Sequence, residues 1–333
     1  MLKIFPFLIL VILLFFFSGC RPGTDKPTPI LLAVEDASKE QLINEVNRFA
    51  KVNSMNAKMD LKFEDTSFAD KGTKKSYISA TLTSVVQRPA NIYLKVEFFS
   101  VDIAQMTSNG DKFCIALLKD NSGGKFKKFA CGTNNADYSK LENGLKKDSS
   151  EDAQNVSAFA KLRPQHFTDA ILIRPTDSAN TYLQSTIYQV EEEEMQKKKV
   201  MRGYYLLDEF TKDSNGELKI ARRFWFDRVV SIRLARQQLF DAKGEIESDI
   251  IYGQEGKLTN TNDYNHLPLR IQLTRPKDKY TITLTYQSPE SVTIGKIYPA
   301  KAFVLENTWG LEEVDLDEKL RKATGQSSAI RNQ

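Results

Sequence analysis

Residues 57–63 alternate strictly: Ala57, Met59, Leu61 and Phe63 are apolar, and Lys58, Asp60 and Lys62 between them are charged. A period of two puts one face of a strand on a core and the other in water. The same alternation returns at Ile92, Leu94, Val96 and Phe98, and at Tyr280, Ile282, Leu284 and Tyr286. Between and beyond these runs the pattern predicts further strands over 75–86, 101–107, 112–119, 125–131, 181–190, 203–210, 218–226, 229–240, 246–252, 267–274 and 291–297. Turn sequences separate them: Asn109-Gly110, Asn121-Ser122-Gly123-Gly124, Asp213-Ser214-Asn215-Gly216, Asp241-Ala242-Lys243-Gly244 and Arg275-Pro276-Lys277-Asp278. Ile232, Leu234 and Leu239 break parity, which predicts a bulge near Arg236-Gln237. The best helix spans 34–51, where Leu42, Val46 and Phe49 form a stripe that suits one face of a sheet; Ser38 with Gln41 fits a capping box. Residues 132–160 are polar and broken, and 165–173 adds a short helical or extended piece. Short strands at regular spacing with few helices mean one large antiparallel sheet, which must close or be covered.

The two cysteines of the 112–131 hairpin bear on its register. A turn centred between Ser122 and Gly123 sets Cys114 opposite Cys131, with Cβ atoms about 4.5–5.5 Å apart. They form a cross-strand disulfide in an oxidising compartment, or two unbonded core thiols if the loop shifts register.

The N-terminus points to that compartment. Lys3 precedes an unbroken run at 4–17 that is apolar apart from one Pro, and Phe17-Ser18-Gly19-Cys20 follows. This has the form of a secretory signal peptide, shorter than the roughly 20 residues of a membrane span. Its end resembles the bacterial lipobox, which implies cleavage after residue 19, diacylglycerol on the Cys20 thiol and an acyl chain such as palmitate on its amine. Arg21 in place of an aspartate favours the outer membrane over the inner, facing the periplasm. Residues 21–31 hold three Pro and read as a tether. Removal of Lys3 takes the net charge from +4 to +3, so no dedicated nucleic-acid surface is expected.

The C-terminal half then carries a motif order. Arg222-Arg223-Phe224-Trp225-Phe226-Asp227, Arg236-Gln237, the turn at 240–245, Ile251-Tyr252 and Leu267-Pro268-Leu269 follow one another. With Gln87-Arg88-Pro89, Asn109-Gly110, and Phe303-Val304-Leu305 followed by Trp309-Gly310-Leu311 as a closing strand, this order resembles the LolA/LolB-like superfamily of lipoprotein-localisation and lipid-binding proteins. The resemblance implies a mainly β fold with accessory helices: a single antiparallel sheet curled into an unclosed barrel and partly covered by helices. It spans 36–316, so 34–320 reads as a single domain with an insertion around 132–200, followed by a polar tail at 321–333. Arg88 sits where the family's carrier has an arginine that contacts its lid helices. No exposed apolar loop of the receptor type is legible, which speaks against dedicated lipoprotein sorting.

A concave face of this kind is lined by alternate strand residues: Leu61, Phe63, Leu94, Val96, Phe98, Tyr204, Leu206, Phe224, Phe226, Leu234, Leu273, Ile282 and Leu284. That lining either holds a lipid or the acyl chains of another lipoprotein, or is an ordinary core filled by the 36–51 helix and the 132–170 region. The second alternative makes the protein a structural or envelope-assembly lipoprotein. Neither reading is an enzyme. His166 and His266 are isolated, no metal-ligand spacing occurs, Ser185, Ser231 and Ser248 lack a nucleophile elbow, and no Gly-rich phosphate loop is present. No cofactor or metal is expected. The expected partners are the membrane, through Cys20, a lipid or acyl-chain ligand, and an envelope protein.

Overall fold

The computed structural model describes residues 28–65, 75–119, 127–138, 141, 163–193, 198–258 and 267–325. The leader, Cys20, the 121–124 turn, His266 and all of 142–162 lie outside the described residues. One sheet of sixteen strands organises the rest. Its N-terminal half comprises β1 (Ile30–Leu31), β2 (Ser54–Asp65), β3 (Lys75–Gln87), β4 (Asn91–Phe98), β5 (Val101–Asn109), β6 (Lys112–Leu117) and β7 (Lys128–Thr133). Its C-terminal half comprises β8 (Thr181–Glu193), β9 (Lys198–Lys212), β10 (Leu218–Asp227), β11 (Arg233–Phe240), β12 (Ile246–Gly256), β13 (Leu267–Arg275), β14 (Tyr280–Tyr286), β15 (Thr293–Ile294) and β16 (Glu312–Asp315). The halves join where β14 pairs with β2, from Tyr280↔Asp65 to Tyr286↔Met59. The hydrogen-bonded path runs β1-β9-β10-β11-β12-β13-β14-β2-β3-β4-β5-β6-β7-β16, with β8 also on β9 and β15 on β2. The path is open, as an unclosed half-barrel requires. It is antiparallel except for β1 on β9 and β16 on β7, which are parallel.

Among the described residues, three α-helices with described bounds accompany the sheet. α1 (Lys39–Ala50) starts at a complete capping box between Ser38 and Gln41, and it buries Leu42, Val46 and Phe49; such a cap is worth about 1 kcal/mol. α2 (Pro164–Ile171) begins on a proline, whose fixed φ suits a first helical position. α3 (Leu316–Ala323) is capped by Asp315. α1, α2 and the concave face of both halves form one apolar core.

The expected bulge is present beside Arg236, at Ala235, where Trp225↔Arg236 is followed by Phe226↔Leu234. Other elements differ from expectation. β11 starts at Arg233 because Val230 takes a positive φ of 72° in the turn before it. The stretch at 291–297 keeps only two strand residues, since Pro289–Ser291 is a 3-10 turn and Gly295 reverses the chain at φ 83°. Phe303-Val304-Leu305 is not a closing strand. Phe303 ends a 3-10 turn and is buried, and β16 closes that end of the sheet instead. The 181–200 stretch supplies β8 and the start of β9 to the sheet, and Ile30–Leu31 of the tether is already paired. α3 carries order to Ala323.

Candidate functional site

Cross-strand register defines the concave face. One row runs Phe224, Gln237, Ile250, Leu273, Ile282 and Phe63. Among the residues expected on this face, Leu94, Val96, Phe224, Phe226, Leu234, Leu273, Ile282 and Leu284 are buried in the main core, and Leu61 and Phe63 pack half-buried against it. Tyr204 and Leu206 are not on it. They pack with Trp225, Ile187 and Ala235 as a separate cluster on the convex face. Tyr205 and Leu207 take the inner positions, opposite Phe226 and Phe224. Phe98 is half-buried at the end of β4 and stacks edge-on against Phe99 rather than joining the core.

α1 and α2 occupy most of the concavity. What remains is a small cleft with about 20 Å³ of free space, room for about one water molecule, partly open to solvent, between the C-terminal ends of the two helices and the sheet. Phe49, Val52 and Met55 line one side, Ile171 and Ile173 another, and Tyr252, Leu258, Leu267, Pro268, Ile271 and Tyr286 the sheet wall. None of these residues was expected to line a cavity, although Phe49, Tyr252, Leu267, Pro268 and Tyr286 stand in the predicted helix, strands and motif order. The tyrosine hydroxyls on the wall are committed to the protein: Tyr286 Oη to Met55 Sδ at 3.0 Å and Tyr252 Oη to the Ala170 carbonyl at 3.3 Å. Burial pushes both phenols above their ordinary pKa. The lining side chains are apolar or aromatic, although polar atoms make up a large share of the surface the cleft exposes.

The segment leaving α2 is strapped down residue by residue. Arg88 donates from Nε to the Val52 carbonyl at 3.0 Å and from Nη2 to the Ile173 carbonyl at 2.6 Å, so one guanidinium holds the ends of both helices. Burial, with the nearby charge of Arg174, lowers the Arg88 pKa from its ordinary value. Arg222 donates to the carbonyls of Arg174 and Pro175, both at 2.8 Å. Asn47 of α1 exchanges hydrogen bonds with Thr176. Residues 173–176 thus tie α2 to the sheet and to α1.

Deeper in, His166 on α2 meets Tyr280 through Nδ1 at 2.8 Å. Burial holds its pKa well below the ordinary 6.5, and the charges of Arg275 and Arg163 add to this. The imidazole is neutral in the fold, whereas the unfolded chain binds a proton as pH falls through about 6.5. Stability is therefore full above that value and declines below it, by up to about 1.4 kcal/mol per pH unit. Asp169, raised by burial, acts in the opposite sense. The readout is thus the difference between proteins: urea unfolding from pH 7.5 to 5.5 should fall more steeply for wild type than for His166→Gln. Equal slopes would refute the assignment.

At the tip of the β4–β5 hairpin, Phe99 and Ser100 both have positive φ, 47° and 62°. This two-residue turn normally takes Asn-Gly, yet Phe99 stands there 88% exposed. The sequence signal was an aromatic pair at the junction of two alternating strands. Cys114 and Cys131 face one another in register, and their sulfurs are bonded. Among the described residues no group of three or more His, Cys, Asp or Glu is placed to hold a metal, and no helix is long and apolar enough to cross a membrane.

No family model and no curated protein matches the chain. Solved structures do. The chain is similar to a LolA superfamily protein from Nitrosomonas europaea, at 11% identity and a TM-score of 0.41, covering 81% of this chain and 99% of that one. It is similar to a DUF1329 family protein from Desulfovibrio piger, at 10% identity and a TM-score of 0.42, over 79% and 95%. A putative outer membrane lipoprotein-sorting protein domain from Vibrio parahaemolyticus matches at 10% identity and a TM-score of 0.37, over 79% and 94%.

Proposed function

We propose that this is a lipid-anchored, non-enzymatic protein of the bacterial envelope that takes the end of an acyl chain into the cleft beneath α1 and α2. The observation that carries the reading is the cleft itself: apolar and aromatic lining side chains, and both flanking helix ends pinned by a single arginine. As it stands the cleft, at about 20 Å³, is far smaller than ordinary ligand sites of about 300–1,000 Å³. An acyl chain therefore enters only when the two helix ends part, and Arg88 is the latch that opposes this. Cys20 supplies the anchor and the outer membrane the address. Phe99 gives the domain a separate apolar point of contact with a bilayer.

The filled concavity favours a second reading, a structural lipoprotein with no lipid ligand. Titration with a fluorescent fatty acid, alongside native mass spectrometry of gently extracted protein, separates the two. Lipid carry-over and saturable probe binding are expected, with several-fold tighter binding by Arg88→Leu if circular dichroism shows it folded. Absence of binding by both proteins would leave the structural reading standing.

A further inference from the structure

The two ends of the sheet are finished differently. β16 has four residues, three of them acidic (Glu312, Glu313 and Asp315), and runs straight into α3. A short, charged edge resists strand pairing. β8 is thirteen residues long and keeps unbroken register with β9, from Thr181↔Phe210 to Glu193↔Lys198. Among the described residues β9 is its only strand partner, so its other side presents free backbone N–H and C=O groups. Residues 181–190 contain no charge and no proline. Leu183, Tyr188 and Val190 are 57%, 49% and 54% exposed. Ile187 belongs to the convex-face cluster of Tyr204, Leu206 and Trp225, so that cluster reaches the edge.

We propose that β8 is a homodimer interface, pairing antiparallel with β8 of a second copy about a two-fold axis at Ser185. Opposed residues of an antiparallel pair share a sheet face, and a two-fold interface must match its own sequence. With the axis at Ser185, Leu183 meets Ile187, Tyr182 meets Tyr188, Gln184 meets Thr186 and Thr181 meets Gln189. Apolar residues face apolar ones on both sheet faces, and Glu191–Glu193 stay outside the paired run. Moving the axis to Thr186 sets Leu183 against Gln189 and Thr181 against Glu191; moving it to Ile187 sets Leu183 against Glu191. This self-match identifies the partner as a second copy and not an unrelated strand.

Sedimentation and oxidative crosslinking of the full chain in detergent test this. Wild type should sediment as a dimer, and Leu183→Lys as a monomer with unchanged circular dichroism. Ser185→Cys lies on the axis and should give a reducible dimer at several times the yield of Gln189→Cys or wild type. The crosslink needs no disruptive change, so it stands even if Leu183→Lys fails to fold. Monomeric wild type, equal crosslinking at 185 and 189, or capture of a different protein at 185 would overturn the proposal.

Discussion

Glu209→Ala should lower the unfolding free energy by about 3–5 kcal/mol, read from urea denaturation at neutral pH. Glu209 and Arg222 are opposed on β9 and β10, with side chains 4% and 6% exposed and Nε–Oε2 at 2.5 Å. The second Glu209 oxygen accepts from Asn180 Nδ2 at 2.5 Å, and the remaining Arg222 donors reach the Arg174 and Pro175 carbonyls. Removing the carboxylate leaves a guanidinium in a low-dielectric site with only neutral acceptors. Attraction within such a pair mostly offsets desolvation, so the pair itself contributes little. The double replacement Glu209→Leu with Arg222→Met should therefore cost much less than Glu209→Ala alone. If single and double changes cost the same, the uncompensated charge is not the cause. Loss of Arg222 should also free residues 174–175, which loosens the strap on α2.

The second large effect is expected at the hairpin disulfide. Replacing Cys114 and Cys131 with serine should cost about 3 kcal/mol, the loop-closure value for a bridge spanning roughly this length of chain. The residues lie 17 apart in sequence. Denaturation of the double variant measures the cost, and thiol titration of the non-reduced parent should find neither residue reactive. Two reactive thiols besides Cys20 would show that the pair is unbonded.

The sequence was legible where one face of an element is wet. Leu42, Val46 and Phe49 stood out on α1 because Glu40, Glu45 and Arg48 interrupt them. The Cys114–Cys131 register followed from a turn between alternating strands. Legibility failed at 203–209, Gly-Tyr-Tyr-Leu-Leu-Asp-Glu, where every residue is buried. A strand covered on both faces loses its alternation, so Tyr204 and Leu206 could not be told from Tyr205 and Leu207. The cleft was missed for another reason. Its walls come from helix ends and from loop-proximal residues such as Val52, Ile173 and Leu258, which meet only through tertiary packing. The Glu209–Arg222 pair gave no signal either, because charged residues on a strand read as solvent-facing until register puts them beneath the 174–180 segment.

The pairing of Ile30–Leu31 with Val200–Met201 fixes where the chain enters the domain. Ten peptide steps separate Cys20 from Ile30, and a fully extended chain covers about 35 Å over that length. If Cys20 carries the proposed acyl chains, the domain is leashed rather than free-roaming. The stretch of β9 that pairs with Ile30–Leu31 would then stay within that radius of the bilayer, and an anchored protein would search a shallow layer above the membrane.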